Sequence, residues 1–411
     1  MQYRRLLVLF FISVLSSCSP SEQSAIILPG EWEPQESIWL GWEHRPGVLG
    51  YHKAVFEIIR SVHEKVKVKI AAPTDSVAEI ARRLIKQQHI PLTNIEFVTI
   101  KDNGYWIRDH GPTFVQDDFR QQWVVDFEWR NHSNELSQVD KKVAVLEGLE
   151  VMTAPVVNEG GGLESNGQGT ILLVESMMVD RNPGKTKAEI EAVYREAVGA
   201  KKIIWLPQGL ANDPWGLHHV ADGYYGYGAG GHVDEFARFV NPNTIVLAWV
   251  GEEEKDAHPV LKQNYEVLRK AFQLLAQATD QDGKPFTIIK IPLPDIIIKK
   301  MVVAEQNAGI SDTTLGIDLF EGERIPTVGD TVDFMAAASY NNFLITNGAV
   351  LLPTYIEAGS SEEKEQAVKA VFSSLFPDRQ LIFIDCLYQN YRGGGIHCST
   401  KQQPKILSTT P

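Results

Sequence analysis

Glycine, charge and aromatic residues crowd together in four segments of this 411-residue chain. They are Asn103 to Pro112 (Asn-Gly-Tyr-Trp-Ile-Arg-Asp-His-Gly-Pro), Asn158 to Gly162 (Asn-Glu-Gly-Gly-Gly), Gly230 to Asp234 (Gly-Gly-His-Val-Asp) and Gly393 to Cys398 (Gly-Gly-Gly-Ile-His-Cys). Glycine lets a backbone turn sharply or approach a ligand closely, and a tight turn explains any one of these segments by itself. Together they supply a thiol, imidazoles and several carboxylates. A cysteine nucleophile needs a lowered pKa or a base within hydrogen-bond reach, and that base needs an orienting group. His397 adjoins Cys398, yet neighbours on a strand point to opposite faces, so His232 is the better partner. On an extended segment the two-residue spacing of His232 and Asp234 puts imidazole and carboxylate on one face, which suits a site that holds a cationic electrophile between acids. The plain alternative is a surface histidine beside an ion-pairing aspartate.

Several other chemistries are poorly served. His218, His219, Asp222, His232 and Asp234 fall within seventeen residues, but Tyr224 to Gly228 intervenes without a recognisable ligand spacing, so no metal is expected. Gly184-Lys185-Thr186 has the tail of a phosphate-binding loop, with Val179 where its first glycine belongs. CxxC, HExxH and GxSxG are absent from the sequence. Lys plus Arg number 39 against 52 Asp plus Glu, a net charge of −13. That sign argues against nucleic acid and favours a cationic small molecule. A hydrophobic share of 44%, with 32 Gly, 21 Pro and 3 Cys, is ordinary globular composition.

To bring the four segments together the chain offers alternating β-rich runs and amphipathic helices. Strands are predicted at 37–42, 66–71, 95–100, 123–127, 170–174, 202–206, 244–250, 287–291, 342–346 and 380–385. Helices are clearest over 187–198, 254–278 and 361–376. Thr186 with Glu189 and Ser360 with Glu363 supply capping-box patterns, and Gly199 sits where a C′ glycine belongs. Strands outnumber helices about two to one, which predicts an α/β fold with pairs of strands per helix. No long linker divides the chain, so residues 26–411 read as a single domain. Residues 293–335 are polar, turn-rich and weakly periodic, and read as an insertion.

The N-terminus reads as an address. Arg4 and Arg5 precede an uncharged run, Leu6 to Leu15, about half the length of a membrane-spanning helix. Residues 1–17 are therefore predicted to be a signal peptide. Leu15-Ser16-Ser17-Cys18 resembles a bacterial lipobox, which implies lipidation of Cys18, a tether over residues 18–25, and a membrane-anchored lipoprotein facing the periplasm or the cell surface. The plain alternative is a cleaved signal with Cys18 merely adjacent. Two cysteines, Cys386 and Cys398, remain. They could pair, but the apolar run around Cys386 reads as a core position.

The four segments, in this order, resemble the agmatine deiminase family, which includes the Porphyromonas-type peptidylarginine deiminases. The likeness runs from Glu31-Trp32-Glu33-Pro34 to Lys401-Gln402-Gln403-Pro404 and takes in Gly169-Thr170, Asp180-Arg181-Asn182-Pro183 and Ser339-Tyr340-Asn341-Asn342-Phe343. It implies a pentein-type α/β propeller of five ββαβ units around a central pocket, and guanidine hydrolysis with no metal and no organic cofactor. By this carry-over Cys398 attacks the guanidinium carbon, His232 is general acid and then base, Glu159 orients His232, Asp109 and Asp234 hold the guanidinium nitrogens, Trp106 packs nearby, and Asn342 is a further substrate contact. Paired carboxylates match both the charge and the forked N–H donors of a guanidinium.

Agmatine, giving N-carbamoylputrescine and ammonia, is the first expected substrate. Peptidylarginine is the same-chemistry alternative, favoured by an extracytoplasmic address. An amidinotransferase and a lipoprotein that binds cations without turnover are the other rivals. The chain departs from the family pattern at Gln35, at Gly104-Tyr105, at Asn166, at Ala229-Gly230-Gly231 and at Arg392. These departures predict that acids reading agmatine's far amine are missing.

Overall fold

Four times along the chain an antiparallel pair of strands is followed by a helix and a third strand parallel to the second. The computed structural model describes residues 25–44, 49–101, 103–119, 121–130 and 135–406. The four units contain strands Thr113–Gln116, Gln122–Glu128 and Glu150–Val157; Glu164–Ser165, Thr170–Val174 and Lys202–Leu206; Ala237–Asn241, Thr244–Trp249 and Thr287–Pro292; and Leu344–Thr346, Ala349–Pro353 and Gln380–Ile384. The fifth unit is closed by the far end of the chain. Thr400–Pro404 lies antiparallel to Gln35–Gly41, which runs parallel to Lys67–Ala72, itself followed by Ile95–Thr99. Five ββαβ units make the pentein propeller, as the sequence resemblance implied.

Local chemistry explains the elements. In Thr170–Val174 every residue is buried, as a strand with both faces covered requires. Helix Lys187–Ala197 begins with a complete capping box between Thr186 and Glu189, and Gly199 takes φ +66° just beyond its end. Helix Pro259–Gln277 starts five residues later than the sequence reading. His258 accepts from the Val260 N–H as its cap, and Pro259 fills the first helical position, where no N–H is needed. The Ser360–Glu363 box does not form. Ser361 is the cap position of helix Glu362–Leu375, and Asp295 from a distant segment accepts its N–H.

All ten predicted strands are present, with ends within two residues of those expected. Residues 293–335 are better ordered than their weak periodicity implied. Ile298–Ala304, Thr314–Gly316, Phe320–Glu321 and Thr331–Met335 join the hairpin of Trp215–Ala221 and Tyr224–Ala229 in a six-stranded sheet. That hairpin runs directly into Gly230-Gly231-His232. The predicted signal, Cys18 and nearly all of the tether lie outside the described residues. No helix among those described is long and apolar enough to cross a membrane. Cys386 and Cys398 are both buried free thiols, so the possible bridge does not form.

One regularity positions the site. The turn entering the first strand of each unit carries a residue singled out from the sequence, two to five positions ahead of that strand. Asp109 precedes Thr113, Glu159 precedes Glu164, His232 and Asp234 precede Ala237, Asn342 precedes Leu344, and Cys398 precedes Thr400. Five equivalent turns of a closed ring face one axis.

Candidate functional site

Gly161 marks the point where the turns converge. A methyl group placed on its Cα would lie 2.5 Å from His232 Nδ1, 2.9 Å from Asp234 Oδ2 and 3.1 Å from Asp109 Oδ1. Only a residue without a side chain fits between these three groups. The Gly161 N–H also donates to Asp109 Oδ1 at 3.0 Å. Gly394 plays the same part beside the thiol, since a methyl there would lie 2.7 Å from the Trp106 ring and 3.0 Å from Cys398 Sγ. Asp234 Oδ2 stands 3.8 Å from that sulfur.

His232 is buried, and neither ring nitrogen has a hydrogen-bond partner among the described residues. Nδ1 stands 3.7 Å from Asp109 Oδ1 and Nε2 stands 3.7 Å from Glu159 Oε2. Such gaps exceed a hydrogen bond and are common at acid–base groups before a substrate is bound. The segment is not extended as the sequence reading assumed, because Val233–Glu235 forms one turn of 3-10 helix with His232 as its cap. Imidazole and carboxylate still converge. Asp213 holds the loop, its carboxylate accepting from the backbone N–H groups of Ala229, Gly231 and His232 at 2.6 to 2.9 Å.

The electrostatics follow from burial among acids. Burial alone would lower the His232 pKa, but Asp109, Glu159 and Asp234 raise it to about 9. Burial raises the Asp109 carboxyl to about 6 against the pull of His232. Burial would also raise Glu159, yet His232 and Arg181 hold it below the ordinary carboxylate range, with Arg181 Nε 3.0 Å from both carboxylate oxygens. Burial, with the Asp234 and Asp109 carboxylates, pushes the Cys398 thiol well up. The resting site therefore pairs a neutral thiol with an imidazolium. A cation seated between Asp109 and Asp234 would offset the charge that opposes thiolate formation.

The His397 ring bonds to two acids, and residues 396–399 form turns and not the strand assumed from sequence. Its Nδ1 meets Asp234 Oδ2 at 2.7 Å and its Nε2 meets Glu31 Oε1 at 2.8 Å. Glu31 in turn pairs with Arg108 at 3.0 Å and with Arg238, which also pairs with Glu164. Sequence reasoning missed these buried partners, and missed Asp213, Arg181 and Glu235. Arg238 carried a signal, being a charge inside the otherwise apolar start of Ala237–Asn241; a buried charge in a strand must be paired.

Asn342 stands beside the sulfur. Its Oδ1 accepts from the His397 N–H at 2.9 Å, and its Nδ2 donates to Glu235 Oε1 at 2.8 Å and to Cys398 Sγ at 3.1 Å. The ligand cluster of His218, His219, Asp222, His232 and Asp234 does not assemble among the described residues. His219 instead contacts Arg324 and the Gly223 N–H.

The departures from the family pattern sort themselves. Gln35 bonds to the carbonyls of Glu31 and Ile345, and Asn166 closes a turn by accepting from the Gln168 and Thr170 N–H groups. Both belong to the scaffold, so neither leaves a missing acid in the pocket. Tyr105 accepts from Ser399, the neighbour of Cys398, and Gly230 packs against Arg181 and Trp215. Arg392 bonds to the Tyr388 and Ile310 carbonyls.

The model of the Porphyromonas-type peptidyl-arginine deiminase family matches residues 27–404. The chain is 30% identical to an agmatine deiminase of Pseudomonas putida, over 92% of this chain and 95% of the relative. It is 29% identical to a putative agmatine deiminase of Streptococcus mutans, over 93% and 97%. Among solved structures, an X-ray structure of a putative agmatine deiminase superposes with TM-score 0.74 at 29% identity, covering 93% of this chain and 97% of that one. Agmatine deiminase of Enterococcus faecalis does so with TM-score 0.73 at 26% identity, with the same coverage.

Proposed function

The chain belongs to the Porphyromonas-type peptidyl-arginine deiminase family, and from that membership and the site geometry we propose that it hydrolyses agmatine to N-carbamoylputrescine and ammonia. The observation that carries this reading is the convergence of Asp109, Asp234 and His232 on Gly161, with the Cys398 sulfur facing the same Asp234 oxygen. Two carboxylates flanking a gap beside a thiol are what a planar, permanently charged guanidinium requires.

Asp109 and Asp234 hold the guanidinium nitrogens. The added positive charge favours loss of the Cys398 proton to solvent, and the resulting thiolate attacks the guanidinium carbon. His232, protonated at rest, gives a proton to one nitrogen of the tetrahedral adduct, and the C–N bond breaks to release ammonia. The remaining thiouronium holds the carbon on sulfur. Water then attacks that carbon, losing a proton to His232, and the C–S bond breaks to give the urea product and regenerate the thiol. Glu159, itself held by Arg181, keeps the imidazole oriented and charged. General acid–base help of this kind is worth about 10²–10⁴-fold.

Peptidylarginine is the second reading, and it rests on the exported address read at residues 1–18. Purified residues 19–411 assayed against agmatine, arginine and an arginine-bearing peptide, scored by ammonia, separate the two. Agmatine turning over at least tenfold faster than the peptide supports the first; the reverse order replaces it with the second. Export and lipid anchoring at Cys18 belong to the same proposal, drawn from the lipobox-like Leu15-Ser16-Ser17-Cys18 alone.

A further inference from the structure

The carboxyl of Glu235 lies closer to the reacting sulfur than the mechanism above uses. Its Oε1 is 3.9 Å from Cys398 Sγ, on the same turn as Asp234, whose Oδ2 is 3.8 Å from that sulfur. Two ionised carboxylates at this range would both oppose a thiolate. The hydrogen bonds offer another arrangement. Asn342 Oδ1 accepts from the backbone N–H of His397 at 2.9 Å and of Cys398 at 3.4 Å, which fixes which end of the amide is nitrogen. Nδ2 then has two hydrogens and two acceptors in reach, Glu235 Oε1 at 2.8 Å and Cys398 Sγ at 3.1 Å.

Resting on the reading of Cys398 as nucleophile, we propose that Glu235 is a positioning residue: a neutral carboxylic acid whose Oε1 holds the Asn342 amide, so that the second N–H of that amide supports the sulfur as it becomes a thiolate. Glu235 lies among Asp234, Asp213 and Asp109 on the turn capped by His232, and Arg238, the cation that draws it down, is already paired with Glu31 and Glu164. Burial and those acids push its carboxyl well above the ordinary range. A neutral carboxyl keeps a carbonyl acceptor for Asn342 without placing a second negative charge at the sulfur. Gly395 leaves room for this amide, since a methyl there would lie 2.6 Å from Asn342 Oδ1.

The test is the pH dependence of Cys398 alkylation by iodoacetamide, followed by peptide mass so that Cys386 is counted apart. It needs no substrate, and so still reports on Glu235 should agmatine prove the wrong guanidine. Glu235→Gln, which keeps an uncharged acceptor oxygen, leaves the alkylation midpoint at the parent value. Glu235→Leu raises it by about one pH unit, a tenfold loss of thiolate at a given pH, and adding Asn342→Ala moves it no further. A midpoint that falls in Glu235→Gln overturns the proposal, because it means an ionised carboxylate was removed. An unmoved midpoint in folded Glu235→Leu also overturns it. Should Glu235→Leu not fold, the Glu235→Gln result decides alone.

Discussion

His397 Nδ1 lies 2.7 Å from Asp234 Oδ2, the same oxygen that faces the Cys398 sulfur at 3.8 Å. The imidazole adjacent to the thiol in sequence thus braces a carboxylate, while the imidazole that faces the pocket comes from a turn 166 residues before Cys398. His397 is wedged between Asp234 and Glu31, and both acids are buried or nearly so. Removing one member of a buried polar set leaves the others uncompensated. His397→Phe is expected to destabilise the fold by about 3 kcal/mol, read by denaturant or thermal unfolding. A loss below about 1 kcal/mol would show that the network does not depend on this ring.

The pH dependence of kcat/KM for agmatine follows from the two perturbed groups. Asp109, raised to about 6, must be ionised to hold a cation, so activity falls as pH drops through about 6. His232, raised to about 9, must be protonated to release ammonia, so activity falls as pH rises through about 9. The expected profile is a bell with apparent limbs near those values, belonging to the coupled site as a whole. Because Asp109 is the largest charge holding His232 up, Asp109→Asn moves the alkaline limb of its residual activity downward. An alkaline limb fixed in that variant would assign it to another group.

Gly161→Ala tests the packing of the site. The added methyl would approach His232 Nδ1 to 2.5 Å, so the acid–base group or the clamp must shift. A misplacement of about 1 Å can cost on the order of 10²-fold, which is the loss of kcat/KM expected in a protein of unchanged melting temperature. Activity within threefold of the parent would mean that His232 has more freedom than its surroundings suggest.

Much of this site was readable from residue types. The four glycine-rich segments named the thiol, the imidazole and the acids, because chemistry of this kind needs reactive side chains beside backbone that can approach closely. The local backbone differs from what residue spacing implies. An extended Gly231–Asp234 was assumed where a 3-10 turn forms, and His397 and Cys398 were placed on a strand where there are turns. Two-residue spacing cannot distinguish these conformations. Strands such as Glu164–Ser165 and Leu344–Thr346 were missed or misplaced at their starts because two or three residues carry no measurable alternation. The buried set of Glu31, Arg108, Arg238 and Glu164 joins four separate stretches of the chain, and pairing across such distances leaves no local trace. Asp295 capping the helix at Ser361 is a further case of tertiary contact replacing a local signal.

The address at the N-terminus is tested apart from the chemistry. Full-length chain expressed in a bacterium with labelled palmitate should carry label and partition with membranes, and Cys18→Ala should lose both. Label retained in Cys18→Ala, or absent from the parent, would leave only a cleaved signal or none.

Covalent catalysis requires that Cys398 carry the guanidine carbon on sulfur during turnover. Acid quench of the enzyme mixed with saturating agmatine, followed by peptide mass analysis, reads this directly. A peptide containing Cys398 heavier by the mass of agmatine less ammonia, and no ammonia release from Cys398→Ala, is the predicted result. Undiminished ammonia release from Cys398→Ala, with no modified peptide in the parent, would contradict it.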